Sequence, residues 1–223
     1  GVDTAQTIWG NSVAILTGDL IFSRASLLVS DLGTRPMKIQ AQTFERLVLG
    51  QLYETTGVRE NQDILDHYIA VIEGKTGSLI AAAGEYGSLL AGASEEVIQM
   101  VATYGELVGV AFQLADDVID IVSDGASSGK TQGTDLREGV PTLPTILLNR
   151  AAEAGDESAR QVQTLIEADL SSDDALAAAV SALAAHPVTQ EAWQIAYDWA
   201  DRAIAAIAPL PDSTAKAALE SFA

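Results

Sequence analysis

Apolar residues recur at helical spacing along nearly the whole chain, and β-branched residues rarely alternate with polar ones. Ala, Leu, Glu and Gln, which favour helices, are frequent. None of the six prolines falls between Met37 and Val140, so long helices are permitted there. The pattern predicts an all-α protein. We expect helices at 11–31, 38–56, 61–91, 95–123, 141–153, 157–168, 173–185, 188–207 and 212–222.

Two of these segments, Val13–Leu32 and Val101–Val122, carry apolar residues around most of the helix circumference. Such helices lie inside a bundle or between a bundle and a partner subunit. Ser94, followed by two glutamates, predicts the N-cap of the helix at 95–123. The segment 124–140 is rich in Gly, Ser and Thr and predicts a loop, and loops of this length are usually functional or disordered.

Composition excludes several classes of function. The 223 residues can form one large domain or a tight pair, with a formal charge of −19. Such a charge argues against nucleic acid as a partner and against an anionic membrane surface. The absence of cysteine excludes disulfides and thiolate sites, and two distant histidines, His67 and His186, argue against a His-rich metal site or triad. We find no signal peptide and no apolar run as long as a membrane span, which predicts a cytoplasmic protein without a membrane segment.

The strongest chemical pattern is an acidic stripe on the helix at 95–123. Gln113, Asp116, Asp117 and Asp120 follow the spacing i, i+3, i+4 and i+7, which places them on one side of a helix. Carboxylates so close together repel, and they need either open solvent or a cation. Oxygen ligands alone favour Mg²⁺, whereas the alternative is a solvated acidic face. The apolar neighbours are expected to pack: Leu114, Val118, Ile119, Ile121 and Val122.

Basic residues supply the complementary charge. Lys75 and Thr76 lie among apolar residues in the long predicted helix, and Lys130 lies in the predicted loop beside a glycine. Each lysine could contact an anion, or could simply be solvated. Gln51 and Glu54, one helical turn apart, predict a hydrogen-bonded pair between helices. Acids on one helix, with lysines on another helix and a loop, suggest a Mg²⁺-diphosphate site.

Five ordered motifs make the chain resemble the trans-isoprenyl diphosphate synthases, or polyprenyl synthetases, over essentially its whole length. The motif FQxxDDxxD is this family's second aspartate-rich motif. The five segments are WGNSVAILTGDLIFSRA at 9–25, GQLYE at 50–54, KTG at 75–77, FQLADDVID at 112–120 and GKTQGTDLREGVPTLP at 129–144.

The resemblance implies an isoprenoid-synthase-type helical bundle around a central cavity, with residues 1–223 as a single domain and a homodimer as the assembly. It also implies a Mg²⁺-dependent enzyme that ionises an allylic diphosphate. The double bond of isopentenyl diphosphate then attacks, and a proton is lost.

Roles for individual residues follow from the same resemblance. Asp116 would ligate Mg²⁺ on the allylic diphosphate, and Asp117 and Asp120 would support it directly or through water. Lys75 and Lys130 would bind that diphosphate.

Three further residues would surround the reacting groups. The dipoles of Gln113 and Thr76 would stabilise the developing carbocation at the reacting centre. Phe112 would help to line the isopentenyl pocket.

Two departures from the family pattern stand out. The segment Gly1–Thr4 resembles the residues that follow the arginine pair after the family's first aspartate-rich motif, so we expect the chain to be N-terminally incomplete. Without that motif half of the metal site is missing, and the fragment as given is expected to be inactive. Val140 stands where many relatives have a lysine, and Arg137 is a candidate replacement.

The remaining alternatives concern the product and the role of the fold. The stretch TDLREGVPTLP and the small Gly77 resemble actinobacterial long-chain synthases that make menaquinone side chains. A geranylgeranyl diphosphate synthase and a non-catalytic prenyl-synthase-like partner subunit are the alternatives. A terpene cyclase is disfavoured by FQxxDDxxD.

Overall fold

The computed structural model describes residues 3–123 and 132–223, and all regular structure within these two ranges is helical. This confirms the predicted fold class. A single π-helical turn, Glu73–Gly77, joins α4 to α5. The helices are α1 (Ala5–Trp9), α2 (Asn11–Ser30), α3 (Thr34–Thr56), α4 (Ile64–Ile72), α5 (Ser78–Leu90), α6 (Glu95–Val122), α7 (Thr134–Glu138), α8 (Leu143–Glu153), α9 (Glu157–Ile166), α10 (Asp173–Ala185), α11 (Pro187–Ile207) and α12 (Thr214–Phe222).

The helix α6 is the centre of the core and packs chiefly against α5 and α11. The Ser94 hydroxyl accepts a hydrogen bond from the backbone N–H of Val97, so the predicted N-cap is confirmed. Leu114 and Val118 are fully buried on one face of α6. The expectation that Ile119 and Val122 also pack is wrong, because they turn to an adjacent face and are 39% and 42% exposed.

Most predicted helix boundaries hold to within a few residues, helix α1 was not predicted, and three other differences have a local cause. Helix α3 already begins at Thr34, because Pro36 falls in its first turn, where the missing N–H costs no hydrogen bond. The predicted helix at 61–91 is interrupted by the π-helical turn. Part of the predicted loop forms α7, which lies between Gly133 and Gly139, both left-handed with φ of 72° and 69°.

His186 joins two helices and does not form a catalytic triad. Its Nδ1 accepts a hydrogen bond from the backbone N–H of Val188, at 3.3 Å, and so caps α11. The proton of a neutral ring therefore lies on Nε2, which donates to the Ser158 hydroxyl at 3.1 Å. Ser158 in turn donates to Asp156 at 2.6 Å. With Nδ1 used as a cap, the ring cannot act as the base of a Ser-His-Asp triad.

Helix α2 is apolar and yet has no buried residue. By length and composition alone, α2 and α6 could each cross a membrane, so the expectation that no apolar run is that long does not hold by these measures. Much of α6 is buried inside the bundle, as a core helix would be. The exposed apolar surface of α2 is a candidate interface.

The π-helical turn lies unusually close to α3. A Cβ atom on Gly74 would come within 2.9 Å of the Arg46 carbonyl oxygen and of the Gly50 Cα atom. Cβ atoms do not approach backbone atoms so closely, and both neighbouring groups are rigid backbone. Two glycines therefore set the distance between α3 and the turn that carries Lys75.

We expect Gly74→Ala to lower the free energy of unfolding by about 1–3 kcal/mol, because the added methyl forces the two segments apart. Gly87→Ala is the matched control, since nothing lies within 4 Å of a Cβ there. Alanine in this exposed helical position should raise stability by about 0.4–1 kcal/mol. Urea unfolding of the two variants measures both effects. Equal stabilities would contradict the close packing.

The carboxylate of Asp63 connects α4 to α8. Asp63 caps α4 by accepting hydrogen bonds from the backbone N–H groups of Leu65 and Asp66, and it pairs with Arg150 of α8. The hydrogen bond from Asp66 is the main cause that lowers the pKa of Asp63 below its ordinary value of 3.8. The ionised carboxylate thus stabilises the fold above pH 3.8, and this contribution is lost as the pH falls through the lowered pKa.

Asp63→Asn keeps a good N-cap but removes the charge. We expect its free energy of unfolding to fall less steeply than that of the wild type below pH 3.8, in urea titrations over a series of pH values. Arg150→Ala should retain most of the wild-type slope, because the backbone hydrogen bonds persist. An unchanged slope in Asp63→Asn would contradict this role.

Candidate functional site

A cavity of about 460 Å³ lies between the end of α3, α4, the π-helical turn, α6 and the segment that leads into α8. Its wall combines apolar side chains from α4 and α8 with charged and amide groups. The polar lining residues are Glu54, His67, Tyr68, Lys75, Thr76, Gln113, Asp117, Asp135 and Thr142. Four residues singled out by sequence, Lys75, Thr76, Gln113 and Asp117, thus meet at one cavity.

Asp117 is the most buried acid among these residues, with 5% of its surface exposed. Its Oδ2 accepts hydrogen bonds from the Tyr68 hydroxyl of α4 and from the backbone N–H of Leu143, the latter at 3.1 Å. Its Oδ1 accepts from the Gln113 amide at 3.3 Å. Burial raises the pKa of Asp117 to about 6, although these hydrogen bonds oppose the rise. Burial and the nearby Asp117 charge raise the pKa of Tyr68.

Gln113 connects Asp117 to the π-helical turn. Its Oε1 accepts a hydrogen bond from the Thr76 hydroxyl at 3.2 Å. The two polar groups predicted to line a reacting centre are therefore in direct contact at the cavity wall.

Lys75 already has a carboxylate partner. Its Nζ lies 2.6 Å from Oε2 of Glu54 on α3, and its side chain is 32% exposed. Gln51 donates to the same Glu54 oxygen at 2.7 Å, which confirms that Gln51 and Glu54 form a hydrogen-bonded pair. That pair lies within α3, and the link between helices is made by Glu54 and Lys75. An incoming anion would compete with Glu54 for the ammonium group.

The acidic stripe divides into two environments. Asp117 faces the core, whereas Asp116 and Asp120 are partly exposed on α6 and are not among the described residues that line the cavity. Asp120 accepts a hydrogen bond from the backbone N–H of Asp135 at 3.3 Å. The helical period explains the division, because successive residues point about 100° apart.

The described acids of the stripe do not form a complete metal cage. In the described ranges, no group of three or more His, Cys, Asp or Glu side chains is arranged to hold an ion. Mg²⁺, however, commonly takes only one or two carboxylates and completes its shell with water and substrate phosphates. Asp116 and Asp120 are partly exposed, which fits that kind of shared site, whereas Asp117 is buried and both of its oxygens accept hydrogen bonds in the core.

Two other candidate residues, Phe112 and Arg137, lie apart from the cavity. Lys130 lies outside the described residues. Phe112 is 56% exposed and lines a separate depression of about 170 Å³ between α6 and α11. Arg137 does not replace the missing lysine, because it binds Asp173 at 2.6 Å and the Leu170 carbonyl at 3.2 Å. Val140 itself lines the cavity.

Sequence reasoning did not assign the other five polar residues of the cavity wall to the site: Glu54, His67, Tyr68, Asp135 and Thr142. Tyr68 lies two helical turns before Lys75, a spacing that could have placed both on one side. Glu54 was recognised only as a partner for Gln51. Asp135 gave no local signal, because its position depends on how α7 folds against α6.

Comparison with known proteins identifies the same family along the chain. Residues 1–183 match the family model described as polyprenyl synthetase. The chain is 42% identical to nonaprenyl diphosphate synthase of Mycobacterium tuberculosis, over 100% of this chain and 65% of that protein. It is 33% identical to octaprenyl diphosphate synthase of Escherichia coli, over 100% of this chain and 68% of that protein.

Solved structures show the same fold. Geranylgeranyl pyrophosphate synthase of Corynebacterium glutamicum, complexed with calcium and isoprenyl diphosphate, superposes with a TM-score of 0.86 at 40% identity, covering 98% of this chain and 67% of that one. Decaprenyl diphosphate synthase of Rhodobacter capsulatus gives a TM-score of 0.82 at 33% identity, covering 100% and 68%. The chain thus spans about two thirds of the length of these proteins, and 65% of the mycobacterial relative.

Proposed function

Because the chain belongs to the polyprenyl synthetase family, we propose that the complete protein is a trans-prenyltransferase. It condenses isopentenyl diphosphate with an allylic diphosphate and makes an all-trans polyprenyl diphosphate. The main support for this proposal is the cavity that Lys75, Thr76 and Gln113 line together, next to the aspartates of α6. The match of the family model over residues 1–183, and of relatives over 100% of this chain, also supports a single isoprenyl-synthase domain.

The chemistry divides between charge and dipoles. The C–O bond of the allylic diphosphate breaks, and the diphosphate leaves with the electron pair. Lys75 would exchange Glu54 for a diphosphate oxygen, and Lys130 would bind the same group. The carbonyl oxygen of Gln113 and the hydroxyl oxygen of Thr76 would stabilise the allylic cation through their dipoles.

The second half of the reaction forms the new bond. The double bond of isopentenyl diphosphate attacks the cation, and Phe112 would help to line the pocket that binds this substrate. Loss of a proton from the adduct restores a double bond, and the diphosphate that has left is the candidate base.

The proposed cofactor is Mg²⁺, which neutralises phosphate charge when bound. Asp116 would ligate it, and Asp120 would support it directly or through water. Asp117 is the third member of the predicted aspartate set, but it is buried in the core, whereas the other two are partly exposed. The calcium and isoprenyl diphosphate in the Corynebacterium structure support a divalent ion in the family.

We favour a long-chain product of the menaquinone side-chain type. The mycobacterial nonaprenyl and Rhodobacter decaprenyl synthases support this choice. The Corynebacterium geranylgeranyl synthase, at 40% identity, supports the alternative of a shorter product. A non-catalytic partner subunit would have no need of the cavity residues Lys75, Thr76 and Gln113.

The proposed assembly is a cytoplasmic homodimer. Helix α2 exposes a row of large apolar side chains, such as Leu16, Leu20 and Ile21, which are 67%, 69% and 65% exposed. Phe44, on the neighbouring α3, is 44% exposed. Contiguous apolar surface of this kind is typical of an obligate interface between subunits.

We expect Asp116→Ala in the complete protein to lower condensation of isopentenyl and farnesyl diphosphate at least about 100-fold, because the metal loses its carboxylate. Product chromatography in the presence of Mg²⁺ measures turnover and chain length together.

Asp198→Asn, an exposed change on α11, is the control and should be as active as the wild type. Near-normal turnover in Asp116→Ala would refute its metal role. A complete wild-type protein that condenses no allylic diphosphate would favour the partner-subunit alternative.

For the dimer, Leu20→Glu should convert the complete protein from a dimer to a monomer, because a charge would be buried in the interface. Sedimentation velocity measures the change in mass. Leu165→Glu on α9, where the leucine is 42% exposed, is the matched control and should leave the dimer intact. A wild-type monomer, or a dimer that tolerates Leu20→Glu, would contradict this interface.

A further inference from the structure

Three side chains form a continuous hydrogen-bonded chain from the core to the cavity wall. The Thr76 hydroxyl contacts Gln113 Oε1 at 3.2 Å, and Gln113 Nε2 contacts Asp117 Oδ1 at 3.3 Å. At the far end, Asp117 Oδ2 accepts from the Tyr68 hydroxyl and from the backbone N–H of Leu143.

The direction of this chain is set from the Asp117 end. An ionised carboxylate only accepts hydrogen bonds, so the neighbouring atom of the Gln113 amide must be its nitrogen. The Gln113 oxygen then faces Thr76 and can only accept. The Thr76 hydroxyl must therefore donate to Gln113, and only its oxygen lone pairs are left for the cavity.

We propose that Asp117 is a positioning residue that sets the direction of this chain, so that Thr76 presents lone pairs and not a proton to the reacting carbon. This inference rests on the proposed function, because the group that benefits is the allylic cation. A cation is stabilised by the negative end of a dipole and destabilised by a hydroxyl proton aimed at it.

The same contacts argue against a direct bond from Asp117 to a metal ion. Both of its oxygens are already occupied, by donors from α4, α6 and the start of α8. An ion on Oδ2 would compete with the buried donors Tyr68 and Leu143 N–H, which is costly. An ion on Oδ1 would compete with the Gln113 amide and break the link to Thr76.

Asp117→Asn reverses the direction of these hydrogen bonds, while the shape of the side chain hardly changes. The new side-chain oxygen is held by the two donors, Tyr68 and Leu143, so its amide nitrogen faces Gln113. Gln113 must then turn its oxygen toward Asn and its nitrogen toward Thr76. The Thr76 hydroxyl becomes an acceptor, and its proton points into the cavity.

The kinetic test uses the complete protein with Mg²⁺, isopentenyl diphosphate and farnesyl diphosphate. We expect Asp117→Asn to lower kcat at least about 10-fold, with KM for farnesyl diphosphate and the Mg²⁺ requirement changed less than about 3-fold, because the effect is confined to the transition state. In a Gln113→Leu variant, adding Asp117→Asn should lower kcat by less than about a further 2-fold, because Asp117 acts through Gln113. A raised Mg²⁺ requirement, or additive losses, would overturn the proposal.

A second readout does not depend on activity. In protein labelled with ¹⁵N-glutamine, the side-chain amide signals of Gln113 are identified by their loss in Gln113→Leu. Asp117→Asn should shift them, since the Gln113 amide nitrogen loses an anionic acceptor and donates instead to the neutral Thr76 hydroxyl. Gln194 and Asp198 form an exposed pair of the same i, i+4 type, at 2.9 Å, so Asp198→Asn is a matched control that should shift only Gln194.

These readouts separate the two claims. If the Gln113 signals shift but the complete protein condenses no isopentenyl and farnesyl diphosphate, the proposed function is overturned, whereas the proposed direction of the hydrogen bonds is kept. Unmoved signals in an active enzyme would overturn the role of Asp117. If Asp117→Asn fails to fold, wild-type hydrogen exchange decides: the Gln113 amide should exchange more slowly than that of Gln194, and equal rates would overturn the proposal.

Discussion

The site depends on the hydrogen bonds to the buried carboxylate of Asp117. A charge in the core is tolerated only when each oxygen has donors, and these come from Tyr68 on α4, Gln113 on α6 and the backbone of Leu143 at the start of α8. Satisfying one carboxylate therefore fixes three segments relative to each other. The cavity is the space that those segments enclose.

The second constraint is the close approach of the π-helical turn to α3. Gly50 and Gly74 permit backbone contact there, which brings Lys75 within ion-pair distance of Glu54, at 2.6 Å. The turn also places Thr76 against Gln113. A lysine held by a carboxylate in this way is oriented before an anion arrives, and the anion need only exchange one oxygen for another.

The helices could be predicted from sequence because they depend on local features: apolar period, the Ser94 cap and the position of proline. The division of the acidic stripe into a buried and a partly exposed part could not be predicted from the sequence. Asp116 and Asp117 are adjacent residues of one type, and only tertiary packing decides which of them is buried. The pairing of Lys75 with Glu54 depends on a close glycine contact between distant segments. Arg137, a candidate for the cavity, instead binds Asp173, since α7 aims it at α10.

In the proposed function, this cavity binds an allylic diphosphate through Lys75. The most direct measurement is a crystal structure of the complete protein with Mg²⁺ and a non-hydrolysable thio analogue of farnesyl diphosphate. The expected result is a diphosphate oxygen in the place of Glu54 at the Lys75 ammonium group, with the allylic carbon beside Thr76 and Gln113. An analogue bound elsewhere, with the Lys75–Glu54 pair intact, would contradict it.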